Sequence, residues 1–199
     1  MNLFFDLDGT LIDSRLRLYR LFQHLVPESK LSLNDYWNLK RNKVNHEEIL
    51  MKYFNYEKVK LSRFHKYWMK LIENKEFLEL DSPFDGVFEY LNELKEAKSA
   101  IYLVTGRQSH ESVNYQLDKF GWKNIFDNIL ITEQKYSKME LIHKFINFDV
   151  ENWMIGDTGK DIQEGQMLGI RTLAVTSGFL SEEKLKEFAE AQNKIFNLK

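Results

Sequence analysis

The sequence has 199 residues, of which 43% are hydrophobic and 29% are charged, and its net charge at pH 7 is −2. This composition is typical of a globular protein with room for one good core, or for a core and a small inserted domain. The absence of cysteine excludes disulfides and thiolate chemistry and fits a reducing compartment. No apolar run approaches ~18 residues, and the first residues lack the pattern of a signal peptide. We therefore expect a cytoplasmic protein without a membrane span.

Charge is distributed unevenly along the chain. Residues 15–80 carry 14 basic and 8 acidic residues, a net charge of +6, and the remainder carries −8. A basic segment beside an acidic one suits a small anionic substrate that meets a cation-binding core, although ordinary variation in surface charge explains the pattern equally well. The sequence has no long basic run, so we expect no nucleic-acid partner. It makes no prediction about the oligomeric state.

The chain opens with a short apolar strand over residues 2–6, which ends in two carboxylates. Asp6 and Asp8 lie two positions apart, so an extended backbone places them on the same side, with Leu7 pointing away. Two acids held this close can bind a hard cation, or they can act as a nucleophile and a proton carrier. Burying one charge beside another is costly, which favours a chemical role over a structural one.

Residues 15–80 contain no convincing strand and several amphipathic helical patterns. These patterns cover residues 16–25, 33–41, 46–54 and 59–77. They predict a small helical domain inserted after the first strand, over residues 15–80. The segment Asp81-Ser82-Pro83 is a reasonable linker back to the main domain, because the residue before proline avoids the helical region.

Strands and helices then alternate to the end of the chain. Strand-length apolar runs cover residues 100–105, 128–131, 153–156 and 172–176, and helical patterns cover residues 87–97, 110–120, 137–148, 162–168 and 181–196. Alternating elements predict an α/β fold with a Rossmann-like parallel sheet and right-handed crossovers. The predicted core domain therefore consists of residues 1–14 and 81–199.

Polar residues follow three of the predicted strands at their carboxyl ends, where ligands of open parallel sheets bind. Asp6 and Asp8 follow the first strand, Thr105-Gly106-Arg107 ends the second, and Asp157 and Asp161 follow the fourth. We expect these segments to converge in space although they lie far apart in sequence.

The string FFDLDGTLIDS, with the Thr105-Gly106 and GDTGKD segments, resembles the motifs of the haloacid dehalogenase superfamily. Within that superfamily the chain is similar to the phosphoglycolate-phosphatase-like branch, which has a helical cap at the position of residues 15–80. The resemblance implies a Mg2+-dependent phosphatase of a small phosphorylated metabolite. An acid at position 8 favours phosphate esters over halides, since the leaving oxygen then needs a proton.

The resemblance also implies a role for each motif residue. Asp6 is the nucleophile that forms an aspartyl-phosphate, and Asp8 is the acid and base, best served by a raised pKa. Asp157 holds Mg2+ with Asp6 and the backbone carbonyl of Asp8, and Asp161 supports the metal through water or a lysine. Thr105 and the neighbouring N–H groups bind the phosphoryl oxygens.

Basic residues near this site leave alternatives open. The phosphate-binding lysine is Lys138, which opens a helix, or Lys135, which fits a Lys-Pro register with Tyr136 in place of proline. Arg107, next to Gly106, clamps a substrate anion or forms a surface ion pair.

Two functions other than hydrolysis fit the same residues. One is a phosphotransferase or phosphomutase of the same fold, and the other is a binding or regulatory module without turnover.

Overall fold

The core of the protein is a parallel sheet covered by helices on both faces. The structure, a computed structural model, describes residues 1–188 and the backbone of residues 194–196. Within this part of the chain, six strands form one parallel sheet: β1 Asn2–Phe5, β4 Ala100–Thr105, β5 Asn128–Ile131, β6 Asn152–Gly156, β7 Arg171–Val175 and β8 Lys194–Phe196. They pair in the order β5-β4-β1-β6-β7-β8. The predicted α/β class and parallel sheet are confirmed.

Strand β1 lies between β4 and β6, and its successive side chains pack on opposite faces of the sheet. Leu3 and Phe5 pack into one apolar cluster, whereas Phe4 packs into another with Val104 and Met154. All four β1 residues are buried, as expected for a strand covered on both faces.

The helices after residue 80 follow the predicted positions, but those predicted over residues 137–148 and 181–196 are shorter than predicted. They are α6 Val87–Glu96, α7 His110–Lys119, α8 Lys138–Ile142, α9 Gly159–Met167 and α10 Glu182–Lys186. The prediction of one helix over residues 137–148 was wrong, because α8 passes into a 3-10 turn at His143–Phe145. The Asn152 amide then donates to the carbonyls of Asn147 and Val150, both at 2.8 Å, which holds the next segment in an irregular conformation.

The prediction of a closing helix over residues 181–196 was also wrong. The helix ends at Lys186, residues 189–193 lie outside the described residues, and Lys194–Phe196 form β8 beside β7. The apolar pair Ile195-Phe196 extends the sheet instead of continuing a helical face.

Helices occupy residues 15–78, as the periodicity predicts, and they have an apolar cluster of their own. The bounds are α1 Arg15–Leu25, α2 Leu33–Arg41, α3 His46–Phe54, α4 Lys58–Leu71 and α5 Lys75–Leu78. Phe22, Tyr36 and Leu50 are completely buried in this cluster. The predicted single helix over residues 59–77 is instead two helices, α4 and α5. Glu73, in the break, accepts hydrogen bonds from the N–H groups of Gln108 and Ser109 at 2.6 and 3.1 Å.

A two-stranded antiparallel ribbon joins the helical segment to the core. It pairs β2 Ile12–Asp13 with β3 Ser82–Pro83, at the points where the chain leaves and re-enters the core. Residues 81–83 were predicted to form a linker, and these strands, which are only two residues long, were not predicted. In the described part of the chain, no helix has both the length and the apolar character needed to cross a bilayer.

Candidate active site

The carboxyl ends of three neighbouring strands bring the motif residues together. Strand β1 pairs with β4 on one side and with β6 on the other, so Phe5 is in register with Leu103 and with Ile155. Asp6 directly follows β1, Thr105 ends β4, and Asp157 follows β6. The predicted convergence of these segments is therefore present at the centre of the sheet.

Three buried carboxylates form a cluster at this edge. Asp6, Asp157 and Asp161 each offer an oxygen within 4.8 Å of the others. Burial raises the pKa of Asp157 well above its usual range, and the charges of Asp6 and Asp161 raise it further. In the described part of the chain, Asp157 has no cationic partner, only the Thr10 hydroxyl at 3.3 Å and the Phe179 N–H at 2.5 Å. Uncompensated negative charge on hard oxygen donors fits a divalent cation.

Two glycines leave room for the Asp157 carboxylate. A Cβ atom added to Gly178 would lie 2.0 Å from Oδ2 of Asp157, and one added to Gly9 would lie 2.5 Å from the same atom. Gly9 also has a φ of +84°, a conformation that other residues rarely adopt. The backbone around Asp157 therefore admits only glycine at both positions.

Lys138 is the cation of this cluster. Its Nζ lies 2.5 Å from Asp6 Oδ1 and 2.6 Å from Asp161 Oδ1, and its side chain is buried. Burial lowers the pKa of the ammonium, but Asp161 and Asp6 outweigh it and keep Lys138 charged. Ser137 positions this lysine by capping α8, since its hydroxyl accepts the N–H of Glu140 at 3.1 Å.

Lys135, the other candidate for the phosphate-binding lysine, has a different environment. It is exposed and pairs with Glu133 at 2.8 Å, although it lines the same cavity as Lys138. It has no ion pair with a cluster carboxylate in the described part of the chain. The geometry thus favours Lys138.

The Asp6 carboxylate has a raised pKa. Burial raises it most, Lys138 lowers it, and Asp161 raises it again, so that the pKa is about 7. Asp161 uses both of its oxygens: Oδ1 accepts from Lys138 and Oδ2 accepts from the Thr158 hydroxyl at 2.5 Å.

Asp8, which is not one of the three clustered carboxylates, is bound by two arginines. The Arg107 guanidinium binds both of its oxygens, at 2.6 and 2.8 Å, and Arg17 donates to Oδ1. Burial raises the pKa of Asp8, but Arg107 and then Arg17 outweigh it and lower the pKa to about 2. In this conformation the neighbours of Asp8 lower its pKa, whereas an acid and base role is best served by a raised pKa. Neither arginine was predicted as its partner.

Asp81 completes this ion-pair network from the opposite side. Its carboxylate lies 3.0 Å from Arg17 Nε and 3.5 Å from Arg107 Nη2, and it accepts the Gln116 amide at 2.7 Å. Arg107 is thus buried and paired, and the alternative of a surface ion pair is wrong. Its Nη1 atom has no hydrogen-bond partner among the described residues.

The hydroxyl of Thr105 is also buried without a partner in the described part of the chain. An orphaned buried hydroxyl is costly unless a ligand satisfies it. Gly106, the next residue, is exposed on the cavity wall, and its carbonyl accepts the Gln134 amide. Ser109, not Thr105, caps the following helix α7, so a capping role for Thr105 is excluded.

Asp6, Asp161 and Lys138, with Asp8 and Arg107, line one cavity of about 590 Å3, which lies between the sheet edge and the helical segment. That volume is within the ~300–1,000 Å3 range of ligand pockets. Asp6, Asp8 and Lys138 line the core side, and Tyr36 and Trp68 line the helical side.

Sequence reasoning missed Arg17, Asp81 and Gly178. Arg17 adjoins the apolar stripe of α1. A charged residue beside a buried helix face is the one feature of the sequence that could have indicated a buried role for Arg17. Its pairing with Asp81, 64 positions away, depends on the fold and has no sequence signature.

Comparisons with known proteins identify the family of this chain. The chain matches the family of haloacid dehalogenase-like hydrolases over residues 3–175. It belongs to that family, and the resemblance drawn from its motifs is confirmed.

Proteins similar to this chain carry hydrolase or phosphatase names. The pyrophosphatase PpaX of Oceanobacillus iheyensis is 25% identical over 196 residues, covering 94% of this chain and 88% of that protein. A haloacid dehalogenase-like protein of Streptococcus pneumoniae has a TM-score of 0.78 at 22% identity, covering 100% of this chain and 93% of that one. A predicted phosphoglycolate phosphatase of Haemophilus somnus has a TM-score of 0.71 at 20% identity, covering 98% and 92%. The two structural likenesses show the fold alone.

Proposed function

We propose that the protein is a Mg2+-dependent phosphomonoester hydrolase that acts on a small phosphorylated metabolite through an aspartyl-phosphate at Asp6. The observation that carries this proposal is the contact between Asp6 and Lys138, 2.5 Å apart on the wall of a cavity, in a cluster with two further buried carboxylates. Family membership supports hydrolysis, and the paired charges support a phosphoryl group as the site of reaction.

The carboxylate cluster is the proposed magnesium site. Asp6 and Asp157 would hold the ion together with the backbone carbonyl of Asp8, and Asp161 would support it through Lys138. This outer role for Asp161 is supported by its two engaged oxygens, one on Lys138 and one on Thr158. When bound, Mg2+ neutralises the carboxylates and the phosphoryl oxygens.

Asp6 attacks the phosphorus atom, and the ester P–O bond breaks. The departing oxygen takes a proton from Asp8, which leaves a neutral alcohol and a phosphoryl group on Asp6. Asp8 then removes a proton from water, the water oxygen attacks phosphorus, and inorganic phosphate leaves with Asp6 restored. Lys138 stabilises the negative charge on the transferred oxygens, and Thr105, Gly106 and Arg107 bind the same group.

Asp8 must leave its arginines before it can carry a proton, because their charges hold its pKa near 2. Asp81 makes this movement possible. It contacts both Arg17 and Arg107, so neither guanidinium is stranded when Asp8 turns toward the phosphoryl group. A stranded buried charge would be strongly unfavourable.

The helical segment over residues 15–80 is the proposed cap domain. It supplies Tyr36, Lys40 and Trp68 to the cavity wall opposite the carboxylates. Closing over a bound substrate, it excludes bulk water from the reaction.

Phosphate release from a panel of phosphorylated metabolites, p-nitrophenyl phosphate and inorganic pyrophosphate tests this function. Pyrophosphate is included because the Oceanobacillus relative is named a pyrophosphatase. We expect release with Mg2+, none with chelator, and none from the Asp6→Asn variant.

The variants Lys138→Met and Lys135→Met distinguish the two candidate lysines. We expect Lys138→Met to lose ~10³-fold in kcat and Lys135→Met to lose far less. The reverse order would assign the phosphate-binding role to Lys135.

A requirement for a bisphosphorylated sugar without phosphate release would indicate a mutase, and Mg2+ binding with no turnover would indicate a binding module.

A further inference from the structure

One cation of the cavity wall has neither a role in the proposed chemistry nor an ion pair with a carboxylate among the described residues. Six basic side chains line the cavity: Arg17, Lys40, Arg107, Lys135, Lys138 and Lys160. Five of them form ion pairs with carboxylates. Lys40 is the exception, since it has no salt bridge within the described part of the chain.

The acidic residue that influences Lys40 is already engaged elsewhere. Glu48 attracts the Lys40 ammonium, but its carboxylate accepts the Asn45 N–H at 2.8 Å in the capping box of α3. Burial lowers the pKa of Lys40 to about 8, and Glu48 opposes this only in part. The ammonium is therefore charged at neutral pH and partly buried, and no carboxylate fully neutralises its charge. An anionic ligand that contacted Lys40 would supply the missing negative charge.

The surroundings of Lys40 are polar enough to orient such a ligand. On the same wall, the Tyr36 hydroxyl and His46 Nε2 are 2.7 Å apart, and the His46 ring lies 4.2 Å from the ring of Trp68. Burial, the charge of Lys40 and that of His65 lower the pKa of His46 well below its usual range, so His46 is neutral. Among Tyr36, Lys40, His46 and Trp68, Lys40 is thus the side chain with a positive charge.

We propose that Lys40 binds a second anionic group of the substrate, so that the substrate is an organic phosphate whose leaving group carries a carboxylate or a further phosphate. This inference rests on the proposed function, because it takes the core side of the cavity as the site of the reacting phosphoryl group. Lys138 then faces the phosphoryl end of the substrate, and Lys40, on α2, faces the other end.

Calorimetric binding of phosphonates tests this inference separately from turnover, because the proposed chemistry breaks an ester P–O bond and phosphonates have a P–C bond there instead. The probes are phosphonoacetate, 3-phosphonopropionate and 4-phosphonobutyrate, each compared with the analogue in which an isopropyl group replaces the carboxylate. Methylenediphosphonate represents a second phosphate. With Mg2+ present, we expect at least one probe with a second anionic group to bind the wild-type protein ~10- to 100-fold more tightly than the corresponding phosphonate that lacks this second group.

Three variants assign that preference to the charge of Lys40. Lys40→Met is expected to reduce it to less than ~3-fold, whereas Lys40→Arg retains most of it. Lys58→Met is the matched control and keeps the wild-type preference, because Lys58 is exposed at the start of α4 and lies outside the cavity wall. Thermal melting verifies that all three variants fold.

Failure of this inference is distinguishable from failure of the proposed function. Three results would overturn the role of Lys40. The wild-type protein binds charged and apolar probes equally, it binds no anionic probe, or the Lys40→Met variant keeps the wild-type preference. If p-nitrophenyl phosphate is still hydrolysed, the proposed function stands. The preferred anion, carboxylate or phosphate, identifies the leaving-group class.

Discussion

Replacing Asp6 with asparagine tests the electrostatic balance of the carboxylate cluster. Because the Asp6 pKa is about 7 in the folded protein and 3.8 is its usual value, the carboxyl binds its proton more tightly in the folded chain. Its contribution to stability is therefore greatest below pH 3.8 and is lost as the pH rises through about 7. At ~1.4 kcal/mol for each tenfold change in proton affinity, ionised Asp6 destabilises the metal-free protein by up to ~4 kcal/mol.

The substitution removes this penalty and also one ion pair. Lys138 keeps Asp161 at 2.6 Å, so it is not left unpaired. We therefore expect Asp6→Asn to stabilise the metal-free protein at pH 8 by ~1–3 kcal/mol, with the gain falling below ~1 kcal/mol at pH 5. For a chain of this length, that gain raises the melting temperature by ~3–10 °C.

Thermal and urea denaturation of both proteins at pH 5 and pH 8, with chelator and with Mg2+, measures these differences. Wild-type protein should gain ~2.7 kcal/mol at a hundredfold excess of Mg2+ over its dissociation constant, and the variant should gain little. A variant that is less stable than wild type at pH 8 in chelator, or equally stabilised by Mg2+, would refute this reasoning.

Three further substitutions test other parts of the structure. Arg17→Met leaves the buried Asp81 carboxylate without its 3.0 Å partner and should cost ~3–5 kcal/mol in urea denaturation; a loss below ~1 kcal/mol contradicts the network. Gly178→Ala places a Cβ atom 2.0 Å from Asp157 Oδ2 and should weaken Mg2+ binding ~10- to 100-fold, followed by melting temperature against Mg2+ concentration; unchanged affinity contradicts the proposed metal site. Ser137→Ala removes the cap of α8 and should lower stability by ~1 kcal/mol in thermal melts, whereas Ser137→Asn should retain it.

The sequence was most informative where local patterns decide the structure. The strand over residues 100–105 and the helices over residues 33–41 and 46–54 have the predicted bounds, because their apolar periodicity agrees with their caps. The convergence of Asp6 and Asp157 was predictable from a general property of parallel sheets, whose ligands lie at the carboxyl ends of the strands.

Contacts between distant segments account for the differences. The break at Glu73 and the irregular segment after α8 depend on hydrogen bonds to residues in other elements. The low pKa of Asp8 depends on Arg17 and Arg107, which reach it from the helical segment and from the loop after β4. Such pairings are set by tertiary packing, so periodicity and spacing could not have predicted them.

Chemical trapping of the phosphorylated enzyme tests most directly whether Asp6 is the nucleophile. The protein is mixed with p-nitrophenyl phosphate and Mg2+, quenched rapidly and treated with borohydride, which reduces an aspartyl-phosphate to homoserine. Mass spectrometry of the peptide covering residues 1–15 then locates the modified position. We expect homoserine at position 6, and an unmodified peptide from Asp6→Asn. Homoserine at position 8, or phosphate release with no modified residue, would contradict the proposed mechanism.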